Sequence, residues 1–194
     1  MNSENVWRLI YHEFKSGCAD YRLYKLICLL LVFFVVSLPE TQGQQNTDYT
    51  IHANIIYRFT KYIEWPASKK SGPFVIGIVG DSPLYEVMKI FILNKTVGNR
   101  PIIVKKFSAS SEVFNCQILF ISEDESRSLK KIATLTAGNS ILLVTESEGL
   151  ALKGSCINFI IVDERLKLEI NKSNIDQRSM SIASELLQLG IAIK

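Results

Sequence analysis

The chain has 194 residues, 47% of them apolar, with a formal charge of +3, which is material for one packed domain and an extension. Its paired cations, Lys69-Lys70, Lys105-Lys106 and Lys130-Lys131, stand far apart with acids between them. That spacing describes a solvated surface and excludes the clustered basic stripe of a nucleic-acid binder.

The first segment in chain order reads as an export signal. Leu26 to Leu38 is apolar except for Ser37, short of the roughly 20 residues that a spanning helix needs. Arg22 and Lys25 precede it, and Thr41-Gln42-Gly43 offers small residues at the minus-three and minus-one places of a cut before Gln44. Residues 1–43 are thus expected to be a signal peptide. A retained anchor beginning near Tyr21 is the alternative, because about 25 residues precede the apolar stretch. Ile27 stands where a lipidated cysteine needs a small neighbour, which argues against lipoprotein processing at Cys28. Residues 44–48 form a polar, flexible lead-in to a domain spanning 49–194.

Ile51, Ile55, Ile56, Phe59, Tyr62 and Ile63 recur at helical spacing and predict a helix over 48–64 that Pro66 stops. Phe74 to Val79 is a buried strand, and Gly80-Asp81-Ser82-Pro83 turns it into a second helix, capped by Ser82 and running to about Leu93. Pro101 to Phe107 and Gln117 to Ile121 are further strands. Ser122 and Glu125 have capping-box spacing and open a helix with Leu129, Ile132, Ala133 and Leu135 inward, ended by Gly138. Ser140 to Thr145 is a strand followed by a polar turn or half-helix over 146–152. Ile157 to Val162 and Arg165 to Ile170 form an antiparallel hairpin across Asp163-Glu164. A last helix is expected from Ser173 to Gly190, packing through Ile175, Ile182, Ala183, Leu186, Leu187 and Leu189. Strand and helix alternate, so the predicted fold is a three-layer α/β domain: a mostly parallel sheet with an antiparallel edge hairpin, flanked by helices.

The candidate chemistry is thin. Gly77 to Asp81 has the outline of a nucleotide loop but lacks the three spaced glycines or the Gly-Lys-Ser/Thr that phosphate binding requires, and Asp81 would repel a phosphate. Within the domain spanning 49–194, one histidine, His52, and two cysteines forty residues apart, Cys116 and Cys156, give no metal-ligand spacing. A hydrolase would have to pair Cys116 or Cys156 with His52, which is read as a surface or boundary residue. No catalytic residue and no cofactor are assigned. In an exported domain Cys116 and Cys156 are an even pair, open to a disulfide or redox role and equally to a reading as two buried thiols. At the starts of strands with one strand between, they would lie about 9.6 Å apart, too far for a bridge unless the ends bend. Tyr57, Phe59, Tyr62 and Trp65 form an aromatic group that packs the core or docks a ligand or partner. Trp65, Tyr62, Asp81 and Arg165 are the candidate ligand or partner contacts, with Trp65 and the loop after Val79 contributing to one pocket if a small molecule binds.

Several blocks then recur together. They are the aromatic run Tyr57 to Pro66, the strand and turn Phe74 to Pro83, Gly98 to Ile102, Cys116 to Ser122, Ile157 to Phe159, Arg165 to Asn171, and Ser184 to Leu189. In this order they resemble the YfiR-like family of bacterial envelope proteins over nearly all of residues 49 to 190. The resemblance implies a periplasmic α/β regulatory domain without catalytic activity. It implies as partner the periplasmic part of an inner-membrane signalling enzyme, a diguanylate cyclase or sensor kinase, and allows a homodimer. The family's best-known member responds to redox state through disulfides. Here Cys116 matches a family cysteine, but no cysteine precedes it in the helix region and Cys156 has no close partner downstream, so that pattern is not reproduced. A periplasmic small-molecule sensor module is the alternative function.

Overall fold

In a computed structural model, residues 49–193 and Lys25 are described; the expected signal peptide and lead-in otherwise lie outside the described residues. Helix α1 spans Tyr49–Tyr62 and buries His52, Ala53, Ile56 and Phe59, positions that recur on one helical stripe. The stripe is rotated from the expected one, for Ile51 is 49% exposed and His52 only 3%. His52 is therefore a core residue rather than a boundary one, its ring 4.4 Å from Phe159 and 5.1 Å from Tyr49 between centroids. The helix stops at Tyr62 because the next two residues, β1 (Ile63–Glu64), pair antiparallel with β9 (Ser181–Ile182).

The remaining strands are β2 (Phe74–Val79), β3 (Thr96–Val97), β4 (Arg100–Phe107), β5 (Ile118–Ile121), β6 (Leu142–Thr145), β7 (Ile157–Val162), β8 (Arg165–Asn171) and β10 (Ile191–Ile193). Among the described residues they form one eight-stranded sheet ordered β10-β8-β7-β6-β5-β2-β4-β3. The run β7-β6-β5-β2-β4 is parallel throughout. The β7–β8 hairpin is antiparallel, and β10 adds parallel to β8 outside it. Every residue of β5 and β6 is buried, as expected for central parallel strands covered on both faces. Helix α2 (Leu84–Phe91) connects β2 to β4, and α3 (Leu129–Leu135) connects β5 to β6 on the far side of β2. With right-handed crossovers, connections stepping in opposite directions place α2 and α3 on opposite faces. The architecture is α/β, as the strand–helix alternation predicts.

Two of the expected helices are built differently from the sequence reading. The helix expected after Ser122 begins as a 3₁₀ segment, Glu123–Ser128, and no capping box closes it. Glu125 instead accepts from the Ser128 hydroxyl at 3.0 Å, while the Ser122 N–H is donated to the Val79 carbonyl of β2 at 3.1 Å. The single helix expected over 173–190 is broken into α4 (Lys172–Asp176), β9 and α5 (Ser184–Leu189). After α4 the Met180 N–H reaches the Ile175 carbonyl at 3.3 Å and the Ser179 N–H the Asp176 carbonyl at 2.9 Å. Ser179 takes φ +56. This is the Schellman stop, with serine where glycine is usual and with Ile175 and Met180 both buried beneath it. The apolar periodicity of the segment continues across the break because β9 and α5 face the same core, so spacing alone could not reveal the interruption.

Candidate functional site

The chain leaves β2 toward β4 and later returns to place β5 on β2's other side. The loops after β2 and β5 thus diverge at the carboxyl ends of these strands, the switch point where open α/β sheets hold their functional crevice. Gly80 opens the loop after β2 with φ +93, and a Cβ there would come within 1.9 Å of the Ser122 hydroxyl. Ser122 follows β5 directly. Its one hydroxyl hydrogen is shared between the Val79 carbonyl, at 2.8 Å, and the Asp124 carboxylate. The Asp81 N–H donates to the other Asp124 oxygen at 3.2 Å. These bonds, the Ser122 hydroxyl foremost, hold the Asp124 carboxyl below the usual carboxylate range.

Glu146, the first residue after β6, closes the crevice. Its Oε1 accepts from the Glu123 N–H at 3.2 Å and from the Tyr49 hydroxyl, at the start of α1, at 3.4 Å. Burial pushes its carboxyl up to about 7, with the charges of Glu123 and Asp124 adding to the rise, against the two hydrogen bonds. Burial and the Glu146 charge likewise raise the Tyr49 phenol. One carboxyl that changes charge near neutral pH therefore ties together α1, the β5 loop and the end of β6. The acids Asp81, Glu123, Asp124 and Glu146 meet here, and among the described residues the ion pair at these acids is that of Lys106 with Asp81, at 3.3 Å on the surface. The balance is unfavourable to a phosphate group.

The structure separates the residues that the sequence suggested as one pocket. Trp65 is 6% exposed; it donates Nε1–H to the Gln117 carbonyl at 3.2 Å and meets Phe74 edge-on at 5.2 Å. Gln117 and Phe74 mark the amino ends of β5 and β2. The loop after Val79 lies at the other end of β2, about 16 Å away along a six-residue strand. Trp65 and that loop thus do not share a pocket. Tyr62 is half-buried at the Trp65 end of α1, Phe59 is fully buried, and Tyr57 donates to the Thr96 carbonyl at 3.2 Å. Asp81 is exposed at the carboxyl edge, and Arg165 is exposed at the hairpin turn opposite Val162.

Cys116 and Cys156 are free, buried thiols at the amino ends of β5 and β7. The strand β6 lies between them: the Leu142 N–H is bonded to the Gln117 carbonyl and the Cys156 N–H to the Leu143 carbonyl, both at 2.9 Å. Burial pushes the Cys116 thiol up to about 12 and that of Cys156 up to about 11. Both stay protonated at neutral pH and are poor nucleophiles in this fold.

Glu146, Tyr49 and Asp124 were not singled out from the sequence, and Ser122 was read there only as a helix cap. The only available signal was position, since each of Ser122 and Glu146 directly follows an apolar strand. That signal acquires meaning once the strand order is known. No curated protein matches the chain. A family model described as YfiR/HmsC-like matches residues 49–191, from the first residue of α1 into β10. With most of its length matched, including every strand of the sheet up to the start of β10, the chain belongs to the YfiR/HmsC-like family.

Proposed function

We propose that the protein is a periplasmic regulator that binds the periplasmic part of an inner-membrane signalling enzyme, a diguanylate cyclase or a sensor kinase, and sets its activity. The family match over residues 49–191 carries this reading. Residues 1–43 act as the export signal and 44–48 as a lead-in, so that the mature protein is the α/β domain. The crevice holds a titrating carboxyl fixed by a tyrosine and a backbone N–H, and both cysteines are buried away from it. Asp81 and Arg165, exposed at the carboxyl edge, are the partner contacts in this reading, whereas Trp65 serves the core.

Tagged protein captured from envelope extracts is expected to bring down a membrane sensor, and deletion of the gene to change cyclic di-GMP levels if that sensor is a cyclase. Capture of no membrane sensor together with unchanged cyclic dinucleotide would overturn the proposal. The intact mass of the exported protein, with and without reductant, tests removal of residues 1–43 and the free state of both thiols.

A further inference from the structure

On the amino-end side of the sheet, away from the Glu146 crevice, a cleft of about 440 Å³ opens between α3, α4 and the 3₁₀ turn Leu150–Lys153. Its lining is one-sided in charge: Lys130 from α3, Lys153 from the turn and Arg178 after α4, with the amides of Asn174 and Gln177 and no acid. Gly154, at φ +115, brings the turn to Ala133, where a Cβ would lie 3.3 Å from the alanine methyl, and so closes one wall. Asn174 holds the same wall by donating to the Ser155 carbonyl at 2.7 Å.

Arg178 is only 6% exposed. Its Nη1 donates to the carbonyl and hydroxyl of Thr136, both at 3.0 Å, and its Nη2 to the Ala133 carbonyl at 3.1 Å. These acceptors are the last carbonyls of α3, so the guanidinium is oriented by dipoles. A guanidinium has five N–H donors, and these contacts use three of them. Neither Arg178, Lys130 nor Lys153 forms an ion pair with a carboxylate among the described residues. The acid on α4, Asp176, is taken by Lys172 at 2.5 Å. A buried cation is ordinarily paired; here the guanidinium is held by the carbonyl end of α3, and Lys130 and Lys153 line the same cleft.

We propose that this cleft binds a small oxyanion-bearing metabolite, its carboxylate or phosphate held between Lys130, Lys153 and Arg178. The buried guanidinium supplies a preorganised fork, and the two lysines close over the anion from opposite walls. A cleft of this volume takes a small molecule rather than a polymer. The site is independent of the regulatory reading and does not involve the Glu146 crevice.

The test uses the exported protein with inorganic phosphate and citrate as probes, each compared with chloride at the same ionic strength. Thermal denaturation and titration calorimetry give the readout. At least one probe is expected to bind saturably and raise Tm, and the double variant Lys130→Gln/Lys153→Gln to weaken it by about a hundredfold, about tenfold for each charge-assisted bond. Lys131→Gln, on the neighbouring position outside the lining, leaves binding unchanged. A response to phosphate alone assigns a phosphate-bearing ligand, and a response to citrate alone a carboxylate-bearing one. Saturation by neither probe, or equal binding by wild type and the double variant, overturns the proposal.

Discussion

Glu146→Gln isolates the titrating group of the crevice. In the folded chain the carboxyl sits at about 7 against an ordinary value of 4.5, because burial disfavours its charge. A raised acid means that the native state binds the proton more tightly than the unfolded chain. Its stabilising contribution is therefore complete below about pH 4.5 and is lost as pH rises through 7. A separation of 2.5 in pKa, from 7 less 4.5, corresponds at about 1.4 kcal/mol each to roughly 3 kcal/mol. Partial hydration of the half-buried side chain reduces this to about 2 kcal/mol. Glutamine keeps an oxygen for the Glu123 N–H and the Tyr49 hydroxyl but cannot ionise. Urea unfolding of both proteins at pH 5, 6, 7 and 8 is expected to show Glu146→Gln gaining about 1.5 kcal/mol on wild type between the ends of the series, most of it between pH 5 and 7. Tyr49, Glu123 and Asp124, the other titrating groups facing the carboxyl, are common to both proteins and largely cancel in the difference. A difference that does not vary with pH, or that turns against the variant at pH 8, would refute the argument that burial governs this carboxyl.

The crevice loop gives a second test. Gly80→Ala combines φ +93 with a Cβ 1.9 Å from the Ser122 hydroxyl and is expected to cost about 3 kcal/mol in urea unfolding, whereas Gly98→Ala, at φ +58 with open space around it, costs about 1 kcal/mol. Equal losses would show that the contact with Ser122 is not what demands glycine at position 80. In the exported protein at pH 8, Cys116 and Cys156 should resist iodoacetamide for hours in buffer and react promptly in 8 M urea (about the strength that unfolds most domains), read by intact mass. Prompt labelling of the folded protein would contradict their burial.

Much of the sheet was legible because its strands carry their own signature. Phe74 to Val79 and Ile118 to Ile121 are apolar runs bounded by turn residues, and a strand buried on both faces needs no partner to be recognised. The hairpin was equally plain, since Asp163 and Glu164 leave room for a tight turn and nothing else; both adopt positive φ, 51 and 59 degrees. Pro66 bounded the first helix to within a few residues, although α1 itself ends at Tyr62, where the pairing of Ile63-Glu64 with β9 begins. The family blocks, spread over 49 to 190 in order, agree with the match over 49–191.

Other features depend on which strands become neighbours. Ile63-Glu64 and Ser181-Ile182 are strands only because they meet each other across more than a hundred residues, and the break in the last helix follows from that pairing and from Arg178 turning to cap α3. His52 was read as a boundary residue because a lone histidine on a helix carries no label; Phe159 of β7 makes it part of the core. The crevice was hidden for a related reason. Ser122 and Glu146 follow different strands, and Tyr49 precedes them both by more than seventy residues. Apolar spacing along the chain establishes the elements and their buried faces, since each depends on side chains a few residues apart. Strand order, which sums many weak and distant contacts, assembles Tyr49, Ser122, Asp124 and Glu146 into one site and carries Trp65 to the opposite end of the sheet.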